Sequence, residues 1–290
     1  MKQEITCTKF KDIDAELRER IGEVAEADNT LVIRIPKNKI KDVFYIKKRK
    51  YPNLILFAEE GSSATVIDID NANNKLEQNF EMHIENNADI TFATFQKKKN
   101  KMNKKATLKK DSRLHWIDAY FSEIDSYSCT ILEKEGACAN HTALFLGKES
   151  ENINLIIETI QKAQHTNAVL NLVGIAKDNS KAFCKGIMKI EKEAYGSTGK
   201  QKIKTLLLSS NAKADSIPSM QIDNYDVRAT HEASVSQIDK EKLFYMMTRG
   251  IDEKEARKKI SESFFVPFLK TVPEDVRNRI NTYVSKELEA

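Results

Sequence analysis

Short β-rich segments follow one another from Leu31 to Gln237, separated by Asn, Asp, Lys, Ser or Gly. Several alternate in polarity, and one face of the segment at 182–190 carries Ala182, Cys184, Gly186, Met188 and Ile190. After Tyr120, no convincing helical periodicity interrupts these segments. Many short strands joined by polar turns are typical of a β-sandwich, a β-barrel or a solenoid.

The turns between the segments narrow this choice. The dipeptides Asn-Gly and Asp-Gly, which favour tight antiparallel hairpins, are absent from the sequence. Asn-bearing turns between similar short strands suit a coiled parallel arrangement instead. We therefore expect a mainly β protein in which a parallel β-helix over residues 31–237 stands beside the β-sandwich and the β-barrel as a possible fold.

Both ends of the chain show helical periodicity. Near the start, apolar residues recur every three or four positions; they are Ile13, Leu17, Ile21 and Val24. This spacing predicts a short helix over residues 10–27, within an N-terminal segment that spans residues 1–30. After Gln237 the pattern becomes helical again, and we assign residues 238–290 to a C-terminal helical domain. The features that mark its helices are Asp239 and Asp252 as caps, Gly250 as a stop, Pro267 as a late break and Pro273 in a first turn.

A lysine tract interrupts the β-rich region. Residues 97–110 contain eight lysines and no acid, so the net charge of +4 becomes −4 (4 − 8) for the rest of the chain. We expect a mobile loop between strands, dispensable for folding. The alternative is a surface for an anionic partner such as nucleic acid, although the tract has no aromatic side chain for stacking on bases.

Several function classes find no support in the sequence. It contains no P-loop, no dinucleotide-binding glycine pattern and no hydrolase motif, so we do not expect an enzyme. No apolar run approaches the ~18 residues of a membrane helix, and the N-terminus has no apolar leader. Four cysteines in 290 residues suggest free thiols in the cytoplasm.

The residues that could carry chemistry are few. His231 precedes Glu232 and shares the parity of small apolar residues, which predicts either a buried structural histidine or a metal ligand or interface group. Cys184 has the parity of an apolar face, which predicts either a small buried hydrophobic residue or a sulfur carrier or ligand. Cys129 resembles it, and Cys138 with His141 gives a weak zinc-like pair.

Residues 206–260 carry a set of pieces in a fixed order: Leu206-Leu207-Leu208-Ser209, Ser216-Ile217-Pro218, Asp226-Val227, His231, Ile238-Asp239, Leu243-Phe244-Tyr245 and Arg249-Gly250-Ile251. In order and spacing they resemble the SufB/SufD family of iron–sulfur cluster assembly proteins. A weaker match extends the resemblance back to about residue 165. The first hundred residues are similar only in strand character.

The resemblance implies a right-handed parallel β-helix followed by a helical C-terminal domain that docks a SufC-type ABC ATPase. It implies pairing through the end of the β-helix, either as a homodimer or with a SufB/SufD paralogue, and a scaffold role for a transient iron–sulfur cluster. It places His231 and Glu232 as the candidate cluster site at that interface. No membrane is implied, and nucleic acid is not an expected partner.

The sequence also departs from the family. A cysteine that the SufB pattern places 28 residues before the histidine falls here on Ile203 (231 − 28), and the sulfur-accepting cysteine falls near Ser62-Ser63. Either Cys184, or after it Cys129, takes a thiolate role, or the chain acts like SufD. Outside the family, the alternatives are a β-helix enzyme acting on polysaccharide and a nucleic-acid-binding protein.

Overall fold

The computed structural model describes residues 23–27, 30–37, 42–47, 52–69, 77–270 and 272–289. The strands of one sheet are β1 (Glu23–Ala27), β2 (Thr30–Ile35), β4 (Asn53–Ala58), β6 (Gln78–Ile84), β8 (Asn100–Leu108), β10 (Ile124–Leu132), β12 (Asn152–Gln161), β14 (Lys181–Ile190) and β16 (Lys213–Ile222). Those of the other are β3 (Asp42–Lys47), β5 (Ser63–Ile69), β7 (Asp89–Gln96), β9 (Arg113–Tyr120), β11 (Cys138–Gly147), β13 (Asn167–Ala176), β15 (Ser197–Leu207) and β17 (Val227–Gln237).

The chain winds alternately through the two sheets as a parallel β-solenoid of about six turns, which confirms the β-helix prediction. We call the sheet that contains β1 and the even-numbered strands sheet A and the other sheet B. From β2 onwards, neighbouring strands of each sheet are parallel and in register, so each interior position stacks on its counterpart in the next coil, as in the column Ala58, Ile84 and Leu108. The pleat sends alternate side chains into the space between the sheets, which is the main core.

The corners that follow β4, β6, β8, β10, β12 and β14 of sheet A have a repeated construction. At each of them the backbone takes a positive φ at one residue, and the amide of that residue donates to a carbonyl of the next coil; the residues are Gly61, Asn87, Asp111, Gly136, His165 and Gly196. Short polar residues and glycine adopt this conformation most readily, which is why polar turns separate the segments in the sequence.

The lysine tract is not a loop, and our prediction for it was wrong. Residues 100–108 form β8, whose interior face carries Met102, Lys104, Ala106 and Leu108, all essentially buried. Outward lysines meet acids on neighbouring coils, as Lys99 meets Glu123 at 2.6 Å and Lys109 meets Glu133 at 2.9 Å. The side chains of the tract therefore alternate regularly between the interior and the outside in spite of the high lysine content. Part of the positive charge of the tract is neutralised by these neighbouring acids.

The predicted N-terminal helix is wrong at its end. Residues 23–27 form β1, which pairs antiparallel with β2 through partners such as Val24 and Ile33. Pairing with the edge of the first coil overrides the helical periodicity there. Residues 10–22 of the prediction lie outside the described residues.

Three helices follow the solenoid: α1 (Lys240–Thr248), α2 (Glu253–Leu269) and α3 (Glu274–Glu289). Asp239 and Asp252 cap the first two as the sequence indicated, and Gly250 lies at φ 83°. Pro267 falls inside α2, which ends two residues later. In the described residues, no helix is both long enough and apolar enough to cross a membrane.

The helices pack on the outer face of sheet B and form a second core. Phe265, Val276 and Ile280 are buried there against aliphatic side chains from several coils, among them Ile117, Leu144, Leu146, Val173 and Ile175. Lys148 and Lys177 hold Glu287 near the end of α3, at 2.5 and 2.9 Å. The helices α2 and α3 therefore cover part of the outer face of sheet B.

Candidate functional site

The solenoid ends in an open coil formed by β16 and β17. Each is the last strand of its sheet in the described structure and pairs on one side only. Large apolar side chains are exposed around this end: Ile217, Ile222, Tyr225 and Val235. An edge strand with unpaired backbone groups and exposed apolar side chains is a ready surface for another chain.

His231 lies on the interior side of this open coil. In register it stacks on Gln201 of β15, which is 1% exposed and faces the space between the sheets. The parity argument from the sequence therefore placed the residue on the right face. His231 is nevertheless exposed, because no further coil of the described structure lies over β17. It is not a buried structural histidine in the single chain.

Glu232 points to the other side of the same strand, since successive side chains of a strand alternate. Its carboxylate forms ion pairs with Lys204 at 2.5 Å and Lys202 at 3.5 Å on the outer face of β15. The hydrogen bond from Lys204 holds the pKa of Glu232 below its ordinary value. Within one chain, His231 and Glu232 therefore face opposite sides of the sheet.

Cys184 is fully buried on the interior face of β14, one strand below the open end, where its register partner is Ser216. Burial raises the pKa of this thiol well above its usual range, so the neutral thiol predominates near pH 7. Ile203, at the position where the family pattern has a cysteine, is an interior residue of β15 with no exposed area. Ser62 is buried at a corner and donates its hydroxyl to the carbonyl of Glu59 at 2.7 Å.

The two other cysteines of the described residues do not take part in a metal site there. Cys129 is half-buried, and burial and then the Glu158 carboxylate raise its pKa. Cys138 and His141 are three apart on β11, so they point to opposite faces, which removes the zinc-like pair. Among the described residues, no three His, Cys, Asp or Glu side chains come together as metal ligands.

Sequence reasoning missed a charged network inside the middle coils. Lys104 is ion-paired with Asp118, whose other oxygen lies 2.8 Å from Nε2 of His141. The Lys104 ammonium also lies 5.3 Å from the ring centre of Trp116. These residues come from three different strands, and Lys104 is one of eight lysines in its tract, so the local sequence offers no signal for the network.

Burial and the contacts within the network determine the protonation states of Asp118 and His141. Burial alone would raise the pKa of Asp118, but the Lys104 ammonium and His141 outweigh it and hold the pKa well below its ordinary value. Burial lowers the pKa of His141, and Asp118 opposes only part of that shift. At neutral pH, the interior therefore holds a Lys104–Asp118 ion pair and a neutral imidazole.

A second exposed apolar surface lies on α1. Leu243 is buried, whereas Phe244 and Tyr245 on the same helix are 69% and 59% exposed and Met247 is 43% exposed. Arg249 stacks on the ring of Tyr245 at 5.2 Å. The helix begins three residues after the end of β17 in the chain.

Comparison with known proteins agrees with this architecture. Residues 44–264 match the family model of the SUF system FeS cluster assembly SufBD core domain. An iron–sulfur cluster assembly SufBD family protein of Staphylococcus epidermidis is 24% identical over 97% of this chain and 69% of its own length. A SufBD family protein of Staphylococcus aureus is 24% identical over the same shares.

The iron–sulfur cluster assembly protein SufB of Bacillus subtilis is 28% identical over 66% of this chain and 41% of its own length. Because the family model covers most of the chain, including the coils and the terminal strands described above, the chain belongs to the SufBD family of SUF-system iron–sulfur cluster assembly proteins.

Proposed function

We propose that this protein is a non-enzymatic scaffold subunit of a cytoplasmic SUF-type assembly complex, on which a transient iron–sulfur cluster forms as cargo. The observation that carries the proposal is the open terminal coil of a SufBD-family solenoid, which presents His231 beside unpaired strand edges. The work of ATP hydrolysis belongs to a SufC-type ATPase partner, since the chain has no P-loop sequence.

The terminal coil is the surface through which a second chain would bind. A second copy or a paralogue that pairs with β16 and β17 satisfies their free backbone edges and covers Ile217, Tyr225 and Val235. A two-fold contact repeats each residue, so it brings two copies of His231 towards one another. The single chain gathers no three ligands in its described part, and a partner would supply those that His231 lacks.

In this arrangement Glu232 positions the strand that carries His231 and is not itself a ligand of the cluster. Its ion pairs with Lys202 and Lys204 fasten β17 to β15, which keeps the strand that carries His231 in place. To bind iron, its carboxylate would have to leave Lys204. Cys184 remains the alternative sulfur ligand, one strand below the surface.

The test is anaerobic reconstitution with iron and sulfide of His231→Ala and of Thr230→Ala, an exposed neighbour on the outer side of the same strand. We expect His231→Ala to lose most of the bound iron and sulfide while its size by gel filtration and its melting temperature stay those of wild type. Thr230→Ala should bind a normal load. A normal load on His231→Ala would exclude His231 from the site and leave Cys184 as the candidate.

We place the ATPase contact on the exposed side of α1. Phe244→Ser combined with Tyr245→Ser should abolish co-purification with a co-expressed SufC-type ATPase, because both side chains are exposed and removing them leaves the packing of Leu243 intact. Val266→Ser, an exposed apolar residue of α2, is the matched control. Undiminished binding by the double variant would contradict this placement.

A further inference from the structure

The outer face of sheet A carries alternating lysine and apolar side chains close to the open end of the solenoid. The outward side chains of β14 are, in order, Lys181, Phe183, Lys185, Ile187 and Lys189. The residues between them are buried on the interior face. Among the described residues, the second core that α2 and α3 form on sheet B takes no side chain from a strand of sheet A. These helices therefore do not pack on the outer face of β14.

The register of the coils places these lysines among apolar residues and beside another lysine. Lys185 lies between Ile156 of β12 and Ile217 of β16. Lys181 lies directly opposite Lys213 of β16, and both are exposed. Like charges in directly opposite positions of neighbouring strands destabilise a sheet. We call Lys181, Lys185 and Lys213, with Phe183 and Ile187 between them, the lysine row.

The lysines of the row lack the acidic partners that other outward lysines have. Lys189, the last lysine of β14, lies 2.7 Å from Glu158 on β12. None of the three lysines of the row forms an ion pair with another described residue. Asp215, opposite Phe183 in register, is the one acid left at an outward position of the two neighbouring strands. Three lysines therefore face one carboxylate, which leaves a charge of +2 (3 − 1) on the row.

The side chains around the row favour a protein as its ligand. A partner with carboxylates and apolar side chains in alternation would complement both the charge and the apolar groups of the row. Phe183 is the one aromatic residue among the outward positions of β12, β14 and β16, and it is partly buried. Sheets that bind single-stranded nucleic acid present several exposed rings on which bases stack. The aliphatic neighbours Ile156 and Ile217 suit the side chains of a protein instead.

We propose that the lysine row is a docking surface for an acidic protein, and that this protein is the acceptor that takes the cluster from the scaffold. The second part rests on the proposed function, because a transient cargo must leave the scaffold. Since β16 carries Lys213 and also a free edge of the terminal coil, an acceptor bound on the row lies beside the open end, where His231 is exposed.

The transfer itself is a ligand exchange. Each bond between an iron and a scaffold ligand breaks, and a bond between that iron and a cysteine thiolate of the acceptor forms. The proton of each acceptor thiol passes to the released ligand or to water, and the cluster keeps its electrons. The lysine row takes no part in these bonds and holds the acceptor in place.

The docking is tested with the full-length protein without cluster, and the probe is an acidic ferredoxin in its reduced apo form. One variant reverses the charge of the row with Lys181→Glu, Lys185→Glu and Lys213→Glu. The control makes the same change of net charge at exposed corner positions beyond the other ends of the strands. Its substitutions are Lys134→Glu, Lys162→Glu and Lys192→Glu. A milder variant with Lys181→Gln, Lys185→Gln and Lys213→Gln replaces the first if its melting temperature falls below that of wild type.

We expect the dissociation constant for the apo-ferredoxin to rise at least about tenfold in the row variant and to stay within about twofold of wild type in the control. Wild-type affinity should also fall as salt rises from about 50 to about 300 mM, because salt screens exposed charges. Equal affinities of the row variant and the control would overturn the proposal.

Other occupants of the row give different results. If the row variant changes the size of the protein in gel filtration, the row is a contact between copies of this chain. If wild type binds a single-stranded oligonucleotide or anionic phospholipid vesicles through the row and does not bind the ferredoxin, the row belongs to that ligand. Each of these results would also overturn the proposal.

The failure of the docking proposal is distinguishable from the failure of the scaffold proposal. The row variant should take a wild-type load of iron and sulfide in reconstitution, because none of its residues belongs to the candidate cluster site. Binding of the ferredoxin through the row by a wild-type protein that takes no cluster would support the docking and refute the scaffold function. A normal cluster load with ferredoxin binding that does not depend on the row would refute the docking alone.

Discussion

Replacement of Lys104 tests whether the lysine tract is part of the core. In Lys104→Met, the ammonium that faces Asp118 is lost while a side chain of similar length still fills the space between the sheets. Asp118 then remains buried, with His141 as its hydrogen-bond partner but without a compensating cation. Leaving one member of a buried ion pair unpaired costs about 3–5 kcal/mol.

That loss is large against the whole stability of a domain, which is typically ~5–15 kcal/mol. Lys105→Met is the matched control, because Lys105 is the next residue on β8 and points outward, where a substitution changes stability by only about 0.5 kcal/mol. Adding Asp118→Asn to Lys104→Met should recover part of the loss, since the amide oxygen still accepts from His141 and carries no charge.

Urea unfolding measures these differences with an internal probe. Trp116 is the only tryptophan of the chain, is fully buried and lies beside Lys104. Its fluorescence reports on the network, and circular dichroism reports on the whole fold. An unfolding free energy for Lys104→Met within about 1 kcal/mol of that for Lys105→Met would refute the reasoning, because the cited cost of an unpaired buried charge is several times larger.

Three further predictions concern the rest of the fold. Deletion of residues 238–290 should give insoluble protein rather than a folded β-body, because it uncovers apolar area whose burial is worth on the order of 10 kcal/mol; a soluble product with the wild-type β spectrum would contradict this. Stability should fall as the pH drops below ~6.5 and further below ~4, measured by urea midpoints, since folding lowers the pKa of His141 and of Asp118 and protons therefore favour the unfolded chain. Gly174→Ala should lower the melting temperature by several degrees, because an added Cβ would lie 2.0 Å from the ring of Phe145.

Much of the fold was predictable because solenoid coils repeat a local rule. Alternation along each strand decides which side chains enter the space between the sheets, and it is visible in the sequence at residues 182–190. The starts of the first two C-terminal helices are visible in the sequence at Asp239 and Asp252. The side chains of these residues accept hydrogen bonds from backbone amides in the first turn of each helix. Helix caps and strand alternation both depend on residues that are close together in the chain. The sequence alone was therefore sufficient to predict these two features.

The candidate site was only half predictable. The parity of His231 put it on the interior face, but its exposure follows from the absence of a further described coil over β17. The separation of Glu232 from it follows from alternation, whereas the ion pair between Glu232 and Lys204 depends on the register of β15 with β17.

The lysine tract shows most clearly what only the tertiary structure decides. Its sequence carries eight lysines and little to bury, and by composition it is a solvated loop. Lys104 is buried all the same, because coils stacked at a fixed register bring Asp118 opposite it from a strand of the other sheet. A charged side chain can be buried in a core when an oppositely charged partner is buried beside it. Which residue is that partner depends on the winding and the register of the coils, and no local pattern of residues contains this information.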